Sequence, residues 1–85
     1  MSKQVVMFVS DGCQPCAAMK PLMIEACDSV GIPLTLTHVT AASPELEMYG
    51  IRGVPSVIAF QDGQIINRFT GARTKAQLEE FIRSL

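Results

Sequence analysis

Excess charge of either sign is missing: seven lysines and arginines stand against eight aspartates and glutamates, a net charge of −1. A chain with so little surplus is not a dedicated polyanion binder, and no nucleic-acid partner is expected. No apolar run approaches the roughly 18 residues of a membrane-spanning helix, so no membrane partner is expected either. The opening Met1-Ser2-Lys3-Gln4 leads into a short apolar stretch without a small-residue cleavage site. That pattern gives no signal peptide and an expectation of the cytoplasm. Cysteine is scarce and odd in number, at three. Small secreted domains stapled by disulfides carry four or more, evenly paired, so that class is excluded. Repeats, linkers and low-complexity segments are also lacking. At 85 residues the chain is expected to be one domain, 1–85, with one core.

What is present is an ordinary globular composition, 48% apolar and 18% charged. Residues 4–9, Gln-Val-Val-Met-Phe-Val, form a nearly continuous apolar run, the pattern of a strand buried on both faces. Ser10-Asp11-Gly12 breaks it. Over residues 13–30, Cys16, Met19, Met23, Cys27 and Val30 recur at steps of three and four, which predicts an amphipathic helix. Pro21 lies inside that helix and is expected to kink it; Gly31 and Pro33 end it. Residues 34–39 alternate with period two, a second strand. Ser43-Pro44 reads as an N-cap with proline at the first helical position, opening a short helix that closes at Gly50. Residues 56–60 and 65–70 read as strands joined across Asp62-Gly63, a strong hairpin signal. Thr74 and Gln77 form a capping box ahead of a stripe of Leu78, Phe81, Ile82 and Leu85. The order β-α-β, short helix, β-β-α predicts an α/β fold. Its four-stranded mixed sheet is flanked by helices, with the first two strands parallel and the hairpin antiparallel.

Chemistry is concentrated in Cys13-Gln14-Pro15-Cys16, where a strand ends and a helix begins. Free amides at a helix N-terminus stabilise an anion, so a thiolate at Cys13 is favoured. Within one helical turn the two α-carbons approach closely enough for a disulfide. Closing so short a loop contributes only about 2 kcal/mol, which argues for a redox role over a structural one. A structural zinc wants four ligands, and this motif supplies two. Cys27 lies eleven residues beyond Cys16, about 16 Å along a continuous helix, and cannot complete the set. His38 has no paired ligand nearby in sequence, so no metal is expected. Cys27 is read as a buried inert thiol, His38 as a half-exposed strand residue, and Tyr49 as packing on the sheet. The methionines are read as core filler apart from the initiator. Pro55, after Gly53-Val54 and at the start of a strand, is trans on base rate alone.

These residues resemble the thioredoxin family over almost the whole chain. The resemblance rests on the Cys-x-Pro-Cys after the first strand, Pro21 in the helix and Tyr49-Gly50-Ile51-Arg52-Gly53-Val54-Pro55-Ser56 before the hairpin. Gly63 in the turn, Gly71 after the last strand and the final amphipathic helix complete it. It implies a thiol-disulfide oxidoreductase that reduces protein disulfides, with Cys13 attacking the substrate and Cys16 resolving the mixed disulfide. It makes Pro55 cis. It gives Val54 a backbone that pairs with an extended substrate segment. The implied substrate-binding surface is Gly12, Gln14, Pro15, Val54, Pro55 and Gly71. No cofactor is implied beyond the redox-active Cys13–Cys16 disulfide. The implied partners are protein disulfides, ribonucleotide reductase among the candidates, and a reductase such as thioredoxin reductase; a monomer is expected.

The sequence departs from that family's pattern in several places. It lacks the opening strand and helix, has Gly12 in place of the usual tryptophan before the first cysteine, and has Gln14 in place of glycine. Met7 stands where thioredoxins carry a buried acid. The close rival is a glutathione-dependent, glutaredoxin-like oxidoreductase. Glutaredoxins place proline first within the motif and carry an acid where this chain reads Thr70-Gly71-Ala72-Arg73-Thr74. A third reading is a non-redox binding module docking through Gly12, Gly53-Val54 and Gly71.

Overall fold

Period-two alternation divides strand β1 (Lys3–Val9) between two cores in the computed structural model, which describes residues 2–85. Val5, Met7 and Val9 face one side, and Val6 and Phe8 the other. Both sides are covered, which is why the run is apolar throughout. The following elements are α1 (Gln14–Val30), β2 (Leu34–His38), α2 (Pro44–Met48), β3 (Ser56–Gln61), β4 (Gln64–Thr70) and α3 (Lys75–Arg83). The strand order is β2-β1-β3-β4, with β1 parallel to β2 and antiparallel to β3, and β3 antiparallel to β4. The result is the expected four-stranded mixed sheet with helices on it.

The larger core lies under α1 and α3. Met19, Met23, Ala26 and Cys27 of α1 meet Val5, Met7 and Val9 of β1, Val57 and Ala59 of β3, and Leu78 and Ile82 of α3. The smaller core packs Phe8, Ile58 and Phe60 against Val39 and Ile51, with Leu46 of α2 and Tyr49 at its margin. Tyr49 packs on the sheet as expected, its ring centroid 5.9 Å from that of Phe8 and 5.8 Å from that of Phe60. The β3–β4 turn carries Asp62 at φ 52° and Gly63 at φ 84°, the paired left-handed residues that an Asp-Gly hairpin requires. The Thr74–Gln77 capping box is present at the start of α3.

Three expectations are corrected. Val30, assigned to the apolar stripe of α1, is exposed. It is the last residue of the helix and sits at the rim of a shallow recess between α1 and α3, beside Ala26 and Ile82. Met48, read as core filler, is 66% exposed, because α2 turns Leu46 and not Met48 towards the smaller core. Finally, β4 begins at Gln64, since the tight turn consumes only Asp62 and Gly63. Helix α1 continues on both sides of Pro21. Among the described residues no helix is long and apolar enough to cross a membrane.

Candidate active site

Strand β1, paired on both edges, delivers the chain into the turn Ser10–Gly12. Gly12 sits at φ 74°, the left-handed region that glycine occupies without penalty, and this swings the chain from the strand into α1. Cys13 follows as the N-cap, with extended backbone at φ −85° and ψ 102°. Its Sγ accepts the Cys16 backbone N–H at 3.2 Å, and its carbonyl accepts from the Ala17 N–H at 3.1 Å. The sulfur therefore takes the place of the oxygen that caps most helices, where donors and the helix dipole favour negative charge. Pro15 falls in the first turn, where a missing N–H costs no intrahelical bond.

Cys13 and Cys16 are joined as a disulfide with Cα atoms 5.2 Å apart. Their accessibility differs. Cys13 is half-buried between exposed Gly12 and Gln14, whereas Cys16 is 3% exposed within the larger core. An incoming sulfur thus reaches Cys13 first. Cys27 lies on the same helix, almost fully buried and free. Burial, and secondarily the Asp28 carboxylate, push its thiol up from an ordinary 9.0 to about 11.

The Val54–Pro55 bond is cis. This meets the expectation carried by the family resemblance and corrects the base-rate reading. The segment is held from both sides. The Gly71 N–H donates to the Pro55 carbonyl at 2.8 Å, and the Ser56 hydroxyl donates to the Gly53 carbonyl at 2.6 Å. Ser56 Oγ also lies 3.2 Å from Thr70 Oγ1. Pro55 is buried, while Val54 and Cys13 are both half-buried at the margin of the larger core.

Two recesses flank Ser10. One, about 260 Å³, is lined by Gly12, Cys13, Gln14 and Cys16 together with Asp11, Lys20 and His38. The other, about 220 Å³ and mostly apolar, is lined by Val54 with Val39, Leu46 and Ile51. The structure thus gathers Gly12 and Gln14 with the cysteines and sets Val54 in the neighbouring recess. Gly71 bonds to Pro55, and Pro15 is exposed on the first turn of α1. Asp11 and Lys20 are not among the expected site residues, and His38, expected as a half-exposed strand residue, is exposed and lines the recess beside the cysteines. Their signal was the topology itself: in a parallel β-α-β unit the ends of both strands lie side by side, where α/β sheets put their sites. Val9 and His38 are register partners. Among the described residues no three His, Cys, Asp or Glu side chains converge as a metal site.

The family model for thioredoxin matches residues 1–84. The chain is 30% identical over 79 residues to a thioredoxin of Rhodospirillum rubrum, covering 91% of this chain and 76% of that one. It is 33% identical over 82 residues to a thioredoxin of Mycoplasmoides gallisepticum, covering 95% and 82%. Among solved structures, a mutant thioredoxin from Halobacterium salinarum superposes with a TM-score of 0.88 at 24% identity, over 98% of this chain and 74% of that one. That last likeness concerns the fold.

Proposed function

The chain belongs to the thioredoxin family and is a thiol-disulfide oxidoreductase, and we propose that it reduces protein disulfides through the Cys13-Gln14-Pro15-Cys16 dithiol. The observation that carries this reading is the pairing of an accessible sulfur with a buried one at the start of α1. Cys13 caps the helix and accepts a backbone N–H, while Cys16 waits in the core at disulfide distance. In the forward step the Cys13 thiolate attacks one sulfur of the substrate disulfide, and the other leaves as a thiolate. Cys16 then attacks Cys13 Sγ, releasing the second substrate sulfur. Two electrons pass to the substrate, and Cys13–Cys16 ends as the disulfide.

Substrate binding falls to the surface around the sulfurs. Val54, with its peptide groups beside a buried Pro55, offers a short edge to an extended substrate segment. Gly12, Gln14, Pro15 and Gly71 complete that surface, with the buried Pro55 supporting Val54 from behind, and the apolar recess beside Val54 suits a hydrophobic substrate side chain. The chain works as one monomeric domain in the cytoplasm, with no cofactor beyond its own disulfide. A two-electron donor must restore the dithiol, and thioredoxin reductase fits that requirement; ribonucleotide reductase is a candidate substrate.

The test is reduction of a protein disulfide with dithiothreitol as donor. Cys13→Ser is expected to abolish turnover. With dithiothreitol removed after pre-reduction, Cys16→Ser is expected to accumulate a mixed disulfide on Cys13, read by intact mass. Normal turnover by Cys13→Ser overturns the assignment.

A further inference from the structure

The resolving step needs a proton acceptor, because only the thiolate of Cys16 is nucleophilic and Cys16 is buried. The residues around it supply little. Met7, Met19 and Val9 share its core and carry no basic group. The exception is the 260 Å³ cleft, whose wall Cys16 shares with three titratable side chains: Asp11 from the β1–α1 turn, Lys20 from α1 and His38 from the end of β2.

His38 is directed to that cleft by the sheet. Along β2 the side chains of Leu34 and Leu36 pack on the larger core under α1, so period-two alternation puts His38 on that same face. Its register partner Val9 is buried there. His38 is the last residue of β2 and is exposed to solvent. Of the three groups, imidazole is matched to the task. An ordinary carboxylate is far too weak a base for a thiol proton, and an ammonium has no lone pair to offer. Neutral imidazole carries one unprotonated ring nitrogen, which can accept a proton as a general base. The cleft is also large enough to hold a relaying water, which occupies about 30 Å³ of liquid.

We propose that His38 accepts the Cys16 thiol proton as Cys16 resolves the mixed disulfide. The inference rests on the reading above, in which Cys16 is the resolving sulfur. An imidazole nitrogen takes the proton from Cys16 Sγ. The freed electron pair forms the Sγ–Sγ bond to Cys13, and the Cys13–substrate bond breaks. Its electron pair leaves on the substrate sulfur. The imidazolium then returns its proton to that thiolate or to solvent, so protons and electrons balance within the pair, the histidine and the substrate. Lys20, one turn beyond Cys16 and facing the same cleft, favours the intermediate thiolate; Asp11 favours the imidazolium.

The experiment is stopped-flow mixing of the full reduced chain with dithiobis-nitrobenzoate, which releases a coloured thiolate at each step. The first phase reports attack by Cys13, and the second reports attack by Cys16. Between pH 5 and 9, His38→Asn and His38→Gln are expected to slow the second phase about tenfold at neutral pH, below the usual range for buried acid–base groups because solvent also reaches the cleft. Both variants should alter the pH profile of the second phase while keeping the first phase. Added imidazole should restore the rate. A second phase with unchanged rate and pH profile in both variants overturns the proposal, as does equal slowing of both phases without imidazole rescue. If the wild type shows no second phase, the resolving role of Cys16 fails first, and the proposal with it.

Discussion

Treating the reduced protein with iodoacetamide near pH 8 is expected to alkylate Cys13 and leave Cys27 almost untouched. The size of the difference follows from the site of Cys27. Burial, then Asp28, raise its thiol from 9.0 to about 11. Two units correspond to roughly a hundredfold smaller thiolate population, and the thiolate is the reacting species. At 1% exposure the reagent must also wait for an opening of α1. Cys27 should therefore react at least about a hundredfold more slowly in the native protein than in denaturant, read by quenching, digestion and peptide mass.

The same shift has an alkaline signature. A thiol whose folded pKa is raised contributes stability that is complete below pH 9 and is lost as pH rises towards 11, because the unfolded chain sheds its proton first. The loss amounts to about 1.4 kcal/mol per unit, roughly 3 kcal/mol across the window. Cys27→Ala should flatten that part of the urea-stability profile. Native alkylation of Cys27 within tenfold of its denatured rate, or an unchanged alkaline slope in Cys27→Ala, would refute the reasoning.

Two further outcomes are expected. Ser56→Ala removes the hydroxyl that ties the Gly53 carbonyl to Thr70; it should cost about 1–2 kcal/mol in urea denaturation and raise KM for a protein disulfide more than it lowers kcat. Leu78→Ala empties a fully buried site that holds α3 on the larger core and should cost about 3 kcal/mol, lowering Tm with little change in the reactivity of Cys13.

Local physics made most of the architecture legible. The two-sided apolar run of β1, the Asp62-Gly63 turn, the Ser43-Pro44 helix start and the Thr74–Gln77 box each act over a few residues, so each can be read from a few residues. Cys13 and Cys16 were equally plain, since motif and helix start coincide. What escaped depends on partners distant in sequence. Val30 and Met48 are apolar and exposed because packing direction, and not hydropathy, decides burial at a helix end. The isomer of the Val54–Pro55 bond has only a base rate locally, and its cis form was legible only through the family resemblance. His38 looked ordinary because its relevance arises from the register that pairs it with Val9, across the whole of α1.

The central place of β1 has a consequence for the order in which a ribosome can finish this protein. β1 pairs on one side with β2 and on the other with β3, Lys3 opposite Gln61 and Phe8 opposite Ser56. Synthesis runs from the N-terminus, so β1, Cys13, Cys16 and Cys27 emerge long before the strand that closes the sheet over them. During that interval Cys27 lacks the burial that later silences it, and three thiols of similar reactivity share one unfolded chain. Selectivity between them is therefore a late acquisition, made when the second half of the chain docks. A nascent chain stalled before β3 should form disulfides to Cys27 under oxidants that in the finished protein join only Cys13 to Cys16.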